Sequence, residues 1–460
     1  MHVKNRNIDI LRTYKLFVSI FCTLKILDML KRFFENRLNM WRKQPKSLPM
    51  MLVGARQTGK TYLLQEFCDN SFEHQVHLNF AEKPEFAHFF TPSLNAADIV
   101  SRMELYFNKK IDPEKTIFFF DEIQDCEQAI ASLKYFAEAK QNYRIVAAGS
   151  LLGVKINRMK SSFPVGKVQI EYLFPMDFEE FLWALDEKML ADEIRLHFVD
   201  NRSFPAIIHE KALKLYRYYL CIGGMPANVS NFIENQNDIF AFNRQISSDI
   251  ITGYLADMAK YAEHVNAVKI HSVFRSIPAQ LAKENAKFMY NLVEPGGNKD
   301  KYQTAIDWLV HANMALQTPR IETSQKPLSA YQSDHHFKLY LSDVGLLTSL
   351  SRTKFNDIIQ SQDWIYRGYL TENFVAQTLH THRHRLYYWN SANRAEVDFL
   401  LDTENGIIPV EVKAAENVRS KSLGVYIEKY KPDVAIRISA RNFGFANGIK
   451  SVPLYAAHCI

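Results

Sequence analysis

The stretch MMLVGARQTGKTYLLQEF, residues 50–67, constrains this chain more than any other. Met50, Met51, Leu52 and Val53 read as an apolar strand. Gly54, Ala55, Arg56, Gln57, Thr58, Gly59, Lys60 and Thr61 then form a glycine-bounded loop, and a helix opening at Tyr62 follows. The glycines let backbone N–H groups curl around phosphates, and the helix N-terminus adds the positive end of its dipole. At this spacing the Lys60 ammonium reaches the β- and γ-phosphates of a nucleotide, and the Thr61 hydroxyl ligates Mg²⁺. A chance glycine-rich turn is the bland alternative. The full G-x-x-x-x-G-K-T pattern between a strand and a helix weighs against it.

A second segment, KTIFFFDEIQD at residues 115–125, sharpens the expectation. Ile117, Phe118, Phe119 and Phe120 in a row suit a central parallel strand covered on both faces. The acids that follow then stand at the carboxyl end of the strand, where open α/β sheets bind ligands. There Asp121 holds Mg²⁺ through water, and Glu122 polarises the attacking water. Three further strands are predicted at residues 76–80, 145–149 and 168–173. Ser150 follows the second of them and either senses the γ-phosphate or caps a helix. ATP and Mg²⁺ are the expected cofactors.

Composition bounds the rest. The chain has 460 residues, enough for roughly three domains of ordinary size. Its 47% apolar and 23% charged residues describe a globular chain, and a net charge of +6 permits a nucleic-acid partner without arguing for one. Cys22, Cys68, Cys126, Cys221 and Cys459 are scattered with no C-x-x-C pair, which suits a reducing cytoplasm and argues against disulfides or a zinc site. The apolar stretch at residues 15–30 is interrupted by Lys25 and Asp28 and is too short to span a bilayer, so it reads as an amphipathic helix or an extension.

Seven motifs occur in a telling order: PMMLVGARQTGKTYLL, FFFDEIQ, AAGSLLGV, LFPMDFEEFL, YYLCIGGMPANV, KLYLSDVGLL and AEVDFL…PVEVKA. That series closely resembles the prokaryotic AAA-type ATP-binding proteins with a C-terminal domain of unknown function. The resemblance runs from about residue 29 to the end and leaves residues 1–28 outside as an N-terminal extension. It implies a P-loop ATPase core over residues 29–180 and a helical lid over 181–237. The family usually has Gly-Arg where this chain reads VGKV, so Lys167 puts a point charge where a planar guanidinium is expected. In the lid, Gly223, Gly224, Met225 and Pro226 read physically as a helix C-cap and proline stop. The resemblance instead implies that Gly224 and Pro226 pack against adenine.

Residues 238–355 read as mostly helical, and two helices followed by the apolar segments LQTPRI and FKLYLS resemble a winged-helix domain. Lys299, Lys301, Arg320 and Lys326 are too few to amount to a DNA footprint. HTHRHR, residues 380–385, reads as a solvated basic edge more than as a metal site, because no acidic or cysteine partner is near in sequence.

Residues 356–460 carry a helix, three strands, a helix and a strand, the order of the restriction-endonuclease-like nucleases, called PD-(D/E)xK after their motif. The matching residues are Asp398, then Glu411 and Lys413, with Glu372 at the position of the accessory acid. Glu411 and Lys413, two apart on a strand, share a face. Two carboxylates with Glu372 would bind a divalent metal and Lys413 would orient the nucleophile. Ordinary polar strand edges are the alternative, and so is an inert descendant that only binds. The expected molecule is thus an α/β P-loop ATPase with a helical lid, a winged-helix-like middle and a nuclease-like C-terminal domain. It would be cytoplasmic, act on DNA or switch a partner, and be able to assemble into oligomers.

Overall fold

The computed structural model describes residues 30–150, 153–154, 163–262, 264–283, 286–360, 367–391, 395–414 and 421–460. The extension 1–28 lies outside them, as does the stretch 15–30 apart from Leu30.

The front of the chain builds one parallel sheet. β1 (Met50–Val53), β2 (His74–Asn79), β3 (Thr116–Asp121), β4 (Arg144–Gly149) and β5 (Gln169–Tyr172) lie in the order β2-β3-β4-β1-β5. Every pairing is parallel. Strands covered on both faces must be apolar throughout, and every residue of β1 and β3 is buried. The pleat sends Met51, Val53, Phe118 and Phe120 into one layer and Met50, Leu52, Ile117 and Phe119 into the other. α1 (Lys60–Ser71) covers the second layer with Leu63, Leu64 and Phe67.

The middle is helical. α2 (Ala206–Ile222) stops at Gly223, whose φ is +74°, and α3 (Pro226–Glu234) begins on proline. α4 (Gln245–Tyr261), α5 (His264–Leu281) and α6 (Lys299–His311) follow. β6 (Ala315–Ile321) and β7 (Gln332–Leu341) then pair antiparallel, and the short α7 (Val344–Leu350) succeeds them.

At the back, α8 (Arg367–Thr381), β8 (Tyr387–Ser391), β9 (Ala395–Thr403), β10 (Gly406–Val412), α9 (Lys421–Tyr430) and β11 (Ala435–Ser439) come in the expected order. β12 (Gly444–Ala446) and β13 (Ile449–Pro453) add two strands that the sequence did not suggest. β8, β9 and β10 are antiparallel neighbours, and β10 pairs parallel with β11 across α9.

The division expected at residues 355/356 runs through a single sheet. β6 lies parallel against β8, so the order is β12-β13-β11-β10-β9-β8-β6-β7. One apolar core likewise runs from α2, α4 and α5 into α8, β9 and β10. Along that sheet β7 is three strands from β9, about 14 Å if the sheet were flat. Lys338 of β7 nevertheless meets Glu396 and Asp398 of β9 at 2.8 and 3.9 Å. The sheet is therefore strongly curled, and α8 packs against β6, β7 and β10. Among the described residues no helix is long and apolar enough to cross a membrane.

Candidate functional site

The phosphate loop sits at the carboxyl edge of the parallel sheet. Gly54 passes so close to the end of β5 that a Cβ would stand 2.2 Å from the Leu173 carbonyl oxygen. Gly59 takes φ +90°, a left-handed conformation that glycine adopts freely. Between them Thr58 Oγ1 donates to the Ala55 carbonyl at 3.0 Å and holds the curl. Lys60 is buried, and its Nζ donates to the Gly54 and Ala55 carbonyls at 3.0 and 2.7 Å. Burial pulls its pKa down to about 8, although Glu122 and Asp121 oppose the shift. Phosphate oxygens would be stronger, charge-assisted partners for the same ammonium.

Thr61 Oγ1 donates to Asp121 Oδ1 at 3.0 Å, and Asn79 Nδ2 donates to Asp121 Oδ2 at 3.3 Å. A hydroxyl beside a carboxylate is a hard oxygen donor set, so these residues fit the Mg²⁺ that the loop implies. Glu122 leaves the strand line with φ 49° and ψ 42°. A non-glycine residue held there costs on the order of 1–3 kcal/mol, and such strain clusters at functional sites. The Glu122 carboxylate accepts from Gln124. The Glu122 N–H donates to Asp121 Oδ1 at 3.0 Å, the oxygen that also accepts from Thr61, which puts the residue at the phosphate loop. Ser150 is buried at the end of β4, between β3 and β1, and residues 151–152 after it are outside the described ones.

Two loop contacts have no sequence motif. Arg56 pairs with Asp257 of α4, and Tyr254 of the same helix donates to the Arg56 carbonyl at 3.2 Å. Gln57, at φ 64°, lies beside α4 as well, its amide nitrogen 3.8 Å from where a Cβ on Gly253 would stand. Arg32 is buried and donates to the Thr58 carbonyl at 3.0 Å, the Phe174 carbonyl at 2.6 Å and Glu180 at 3.0 Å. It fastens the loop to the exit of β5. A cavity of about 230 Å³ opens beside the loop, lined by Arg32, Gly59, Tyr62, Leu63, Met176 and Pro226 among others. Gly224 does not line it. A Cβ on Gly224 would fall 1.8 Å from the Met176 carbonyl oxygen, and its N–H donates to Asp343 Oδ2 at 2.6 Å.

The C-terminal hairpin brings its acids together. Pairing of β9 with β10 runs as far as Val410↔Phe399, and one more step sets Glu411 opposite Asp398. Asp398 Oδ2 accepts from the Val412 N–H at 2.8 Å, and Lys413 Nζ pairs with Glu411 Oε1 at 2.6 Å. Glu411 is buried, and its Oε2 has no hydrogen-bond partner among the described residues.

Glu372 and Asp398, two of the acids expected to hold a metal with Glu411, lie beside a buried lysine. Lys338 of β7, 1% exposed, holds its Nζ 2.7 Å from Glu372, 2.8 Å from Glu396 and 3.9 Å from Asp398. Tyr340, on the same face of β7, also donates to Glu372. Burial pulls the Lys338 ammonium down, but Glu372, Tyr340, Glu396 and Asp398 outweigh it and hold the pKa well above its ordinary value. Burial, with Glu372 next, pushes the Asp398 carboxyl up. Among the described residues no three His, Cys, Asp or Glu side chains are arranged to hold a metal ion. An ammonium of the chain's own thus pairs with Glu372 and lies 3.9 Å from Asp398, while Glu411 pairs with Lys413.

The remaining candidates each meet partners within the chain. Lys167 pairs with Glu138 at 3.1 Å, both half-exposed. In HTHRHR the side chains scatter: His382 meets Asp177 at 3.0 Å, Arg383 meets Glu171 at 2.9 Å and His384 meets the Ile460 carbonyl at 3.2 Å. His380 is on α8, not on an extended segment, and burial lowers its pKa to about 4. Lys301, Arg320 and Lys326 lie beside Glu294, Glu322 and Asp402.

Comparison with known families agrees with the front of the chain. Residues 46–182 match the family described as "AAA domain", as expected for a P-loop AAA-type ATPase core. Residues 213–357 and 367–457 match two families described as "Domain of unknown function", DUF8612 and DUF4143. No curated protein matches the chain. Among solved structures, the Walker-type ATPase paby2304 of Pyrococcus abyssi is 15% identical, with 70% of this chain and 96% of that one covered, at a TM-score of 0.43. The ORC2 protein of Aeropyrum pernix, as ADPNP–ADP complexes, is 12% identical over 73% and 93% at a TM-score of 0.35. Cdc6p from Pyrobaculum aerophilum is 12% identical over 72% and 95% at 0.24. Likeness this shallow bears no weight for the shape of this chain.

Proposed function

We propose that this chain hydrolyses Mg-ATP at the phosphate loop and uses the cycle to switch its C-terminal sheet domain, which binds a nucleic-acid partner without cutting it in the state described. The observation that carries the ATP reading is the convergence of Lys60, Thr61, Asp121 and Glu122 on one strand edge. Gly54, Ala55 and Gly59 with Thr58 wrap the phosphates, Lys60 neutralises them, and the apolar cavity at Tyr62 and Pro226 receives the base. Thr61 and Asp121 hold Mg²⁺, which offsets charge at the transferred phosphoryl. Glu122 accepts the proton of the attacking water.

For the C-terminal domain, binding is favoured over cleavage by Lys338, whose charge sits beside Glu372 and Asp398, two of the acids a cutting site would need. What supports DNA as the partner class is the likeness of the element order and of Asp398, Glu411 and Lys413 to restriction-endonuclease-like nucleases. A second reading, cleavage itself, draws on the unpartnered Glu411 Oε2. The two are separated by incubating the purified chain with plasmid, linear and branched DNA, with Mg²⁺ or Mn²⁺, with and without ATP. The expected result is ATP turnover and DNA retention with the strands intact. Cleavage that Asp398→Ala and Lys413→Ala both remove would establish the second reading instead, and a chain that neither retains nor cuts any of these DNAs would sink DNA as the partner.

A further inference from the structure

The motif KLYLSDVGLL is left unexplained by either site taken alone, yet it touches both. Its Lys338 and Tyr340 reach Glu372 from β7. The chain then turns through Ser342 to Asp343, which caps α7 by accepting from the Leu346 N–H at 2.9 Å. The same carboxylate accepts from the Gly224 N–H at 2.6 Å. Gly224 stands two residues before Pro226, which lines the cavity beside Gly59. One short segment therefore runs from the acid cluster to the wall of the nucleotide cavity.

That junction has no slack. A Cβ on Gly223 would fall 2.2 Å from Asp343 Oδ1, and one on Gly345 would fall 2.2 Å from the Ile222 carbonyl oxygen. Residues 337–341 of β7 are all buried. Contacts packed this closely pass a displacement on, because cores shift between discrete arrangements and do not deform smoothly. A second arm meets the same place: α4, which pairs Asp257 with Arg56 of the loop, packs against α7.

We propose that β7 and Asp343 couple the two sites, so that nucleotide beside the phosphate loop sets the position of Lys338 among Glu372, Glu396 and Asp398. This rests on the nucleotide reading of the loop. Bound base against Pro226 shifts α3 and the Gly224 N–H; Asp343 follows its donor, and β7 carries Lys338 with it. Lys338 and Asp343 are positioning residues in this scheme. Coupling is reciprocal, so what nucleotide does to Lys338, Lys338 must do to nucleotide affinity.

Hydrogen–deuterium exchange on the full chain, with and without saturating Mg-ADP, reads the first direction, and calorimetry on the same preparation reads the second. In the parent, peptides of β7 and α8 should change exchange on binding. In Asp343→Asn, nucleotide should still bind, since Lys60, Thr61 and Asp121 are untouched, and peptides at residues 50–67 should still respond while β7 and α8 no longer do. Lys338→Met should shift the nucleotide Kd by about fivefold or more. If that variant does not fold, Asp343→Asn decides alone. A parent that binds Mg-ADP with β7 and α8 unchanged overturns the coupling and leaves the nucleotide reading standing. So does an Asp343→Asn variant that keeps the full response, or a folded Lys338→Met with the parent Kd. A parent that binds no nucleotide overturns both.

Discussion

Lys60 donates to two carbonyls of its own loop from a buried position that lowers its pKa to about 8. Its charge is thus a burden to the empty protein and an asset to the nucleotide complex. Lys60→Ala should weaken ATP binding by about ten- to a hundredfold or more, the worth of charge-assisted hydrogen bonds. Calorimetry reads that loss, and an unchanged urea midpoint shows that the fold is intact. Lys338 is the opposite case. Removing a buried cation from three carboxylates leaves uncompensated charge, so Lys338→Ala should cost about 3–5 kcal/mol of stability in urea; a loss below about 1 kcal/mol would mean that the cluster is solvated. The two lysines also differ in legibility. Lys60 is fixed by spacing within eight residues, which any reader of the sequence sees. Arg32, Asp257 and Lys338 find their partners at separations of 148, 201 and 34 residues, and nothing in the local pattern announces them.

Elements were legible where their own chemistry decides them. β1 and β3 are apolar runs ending in motif residues, α2 ends where Gly223 allows φ +74°, and the β9–β10 turn closes on Gly406 at φ +137°. The placing of β6 and β7 was not legible. As a local antiparallel pair they look like a wing, while their union with β8 depends on a distant parallel register at Arg320↔Tyr388. The junction after β7 allows a test by pH. Burial raises Asp343 from 3.8 to about 6, against the pull of the backbone N–H groups it accepts from. Its folded pKa lies above its unfolded one, so the folded state holds the proton more tightly and loses stability as pH rises from about 4 to 6. Urea unfolding of parent and Asp343→Asn should therefore show the gap moving in favour of the variant over that window, by on the order of 1–3 kcal/mol. A gap independent of pH would mean that the carboxyl is not buried as described.

At the scale of the molecule, two sheets meet through helices that belong to neither. The parallel sheet supplies the strand edge for the phosphate loop, and the curled eight-stranded sheet supplies the acid cluster. A core shared by α2, α3, α4, α5, α8, β9 and β10 joins the cluster to the helices beside the phosphate loop. That continuity makes a switch mechanically reasonable, because no flexible hinge among the described residues separates β7 from α7. The whole scheme depends on hydrolysis at the front. Steady-state phosphate release and ATP binding measured side by side for the parent and Glu122→Gln test it most directly. The amide keeps the shape of the side chain but cannot take the proton of the attacking water. The variant should hold Mg-ATP with an affinity close to that of the parent and lose turnover by about a hundredfold to ten-thousandfold. Turnover near the parent rate in Glu122→Gln, or no turnover in the parent itself, would contradict it.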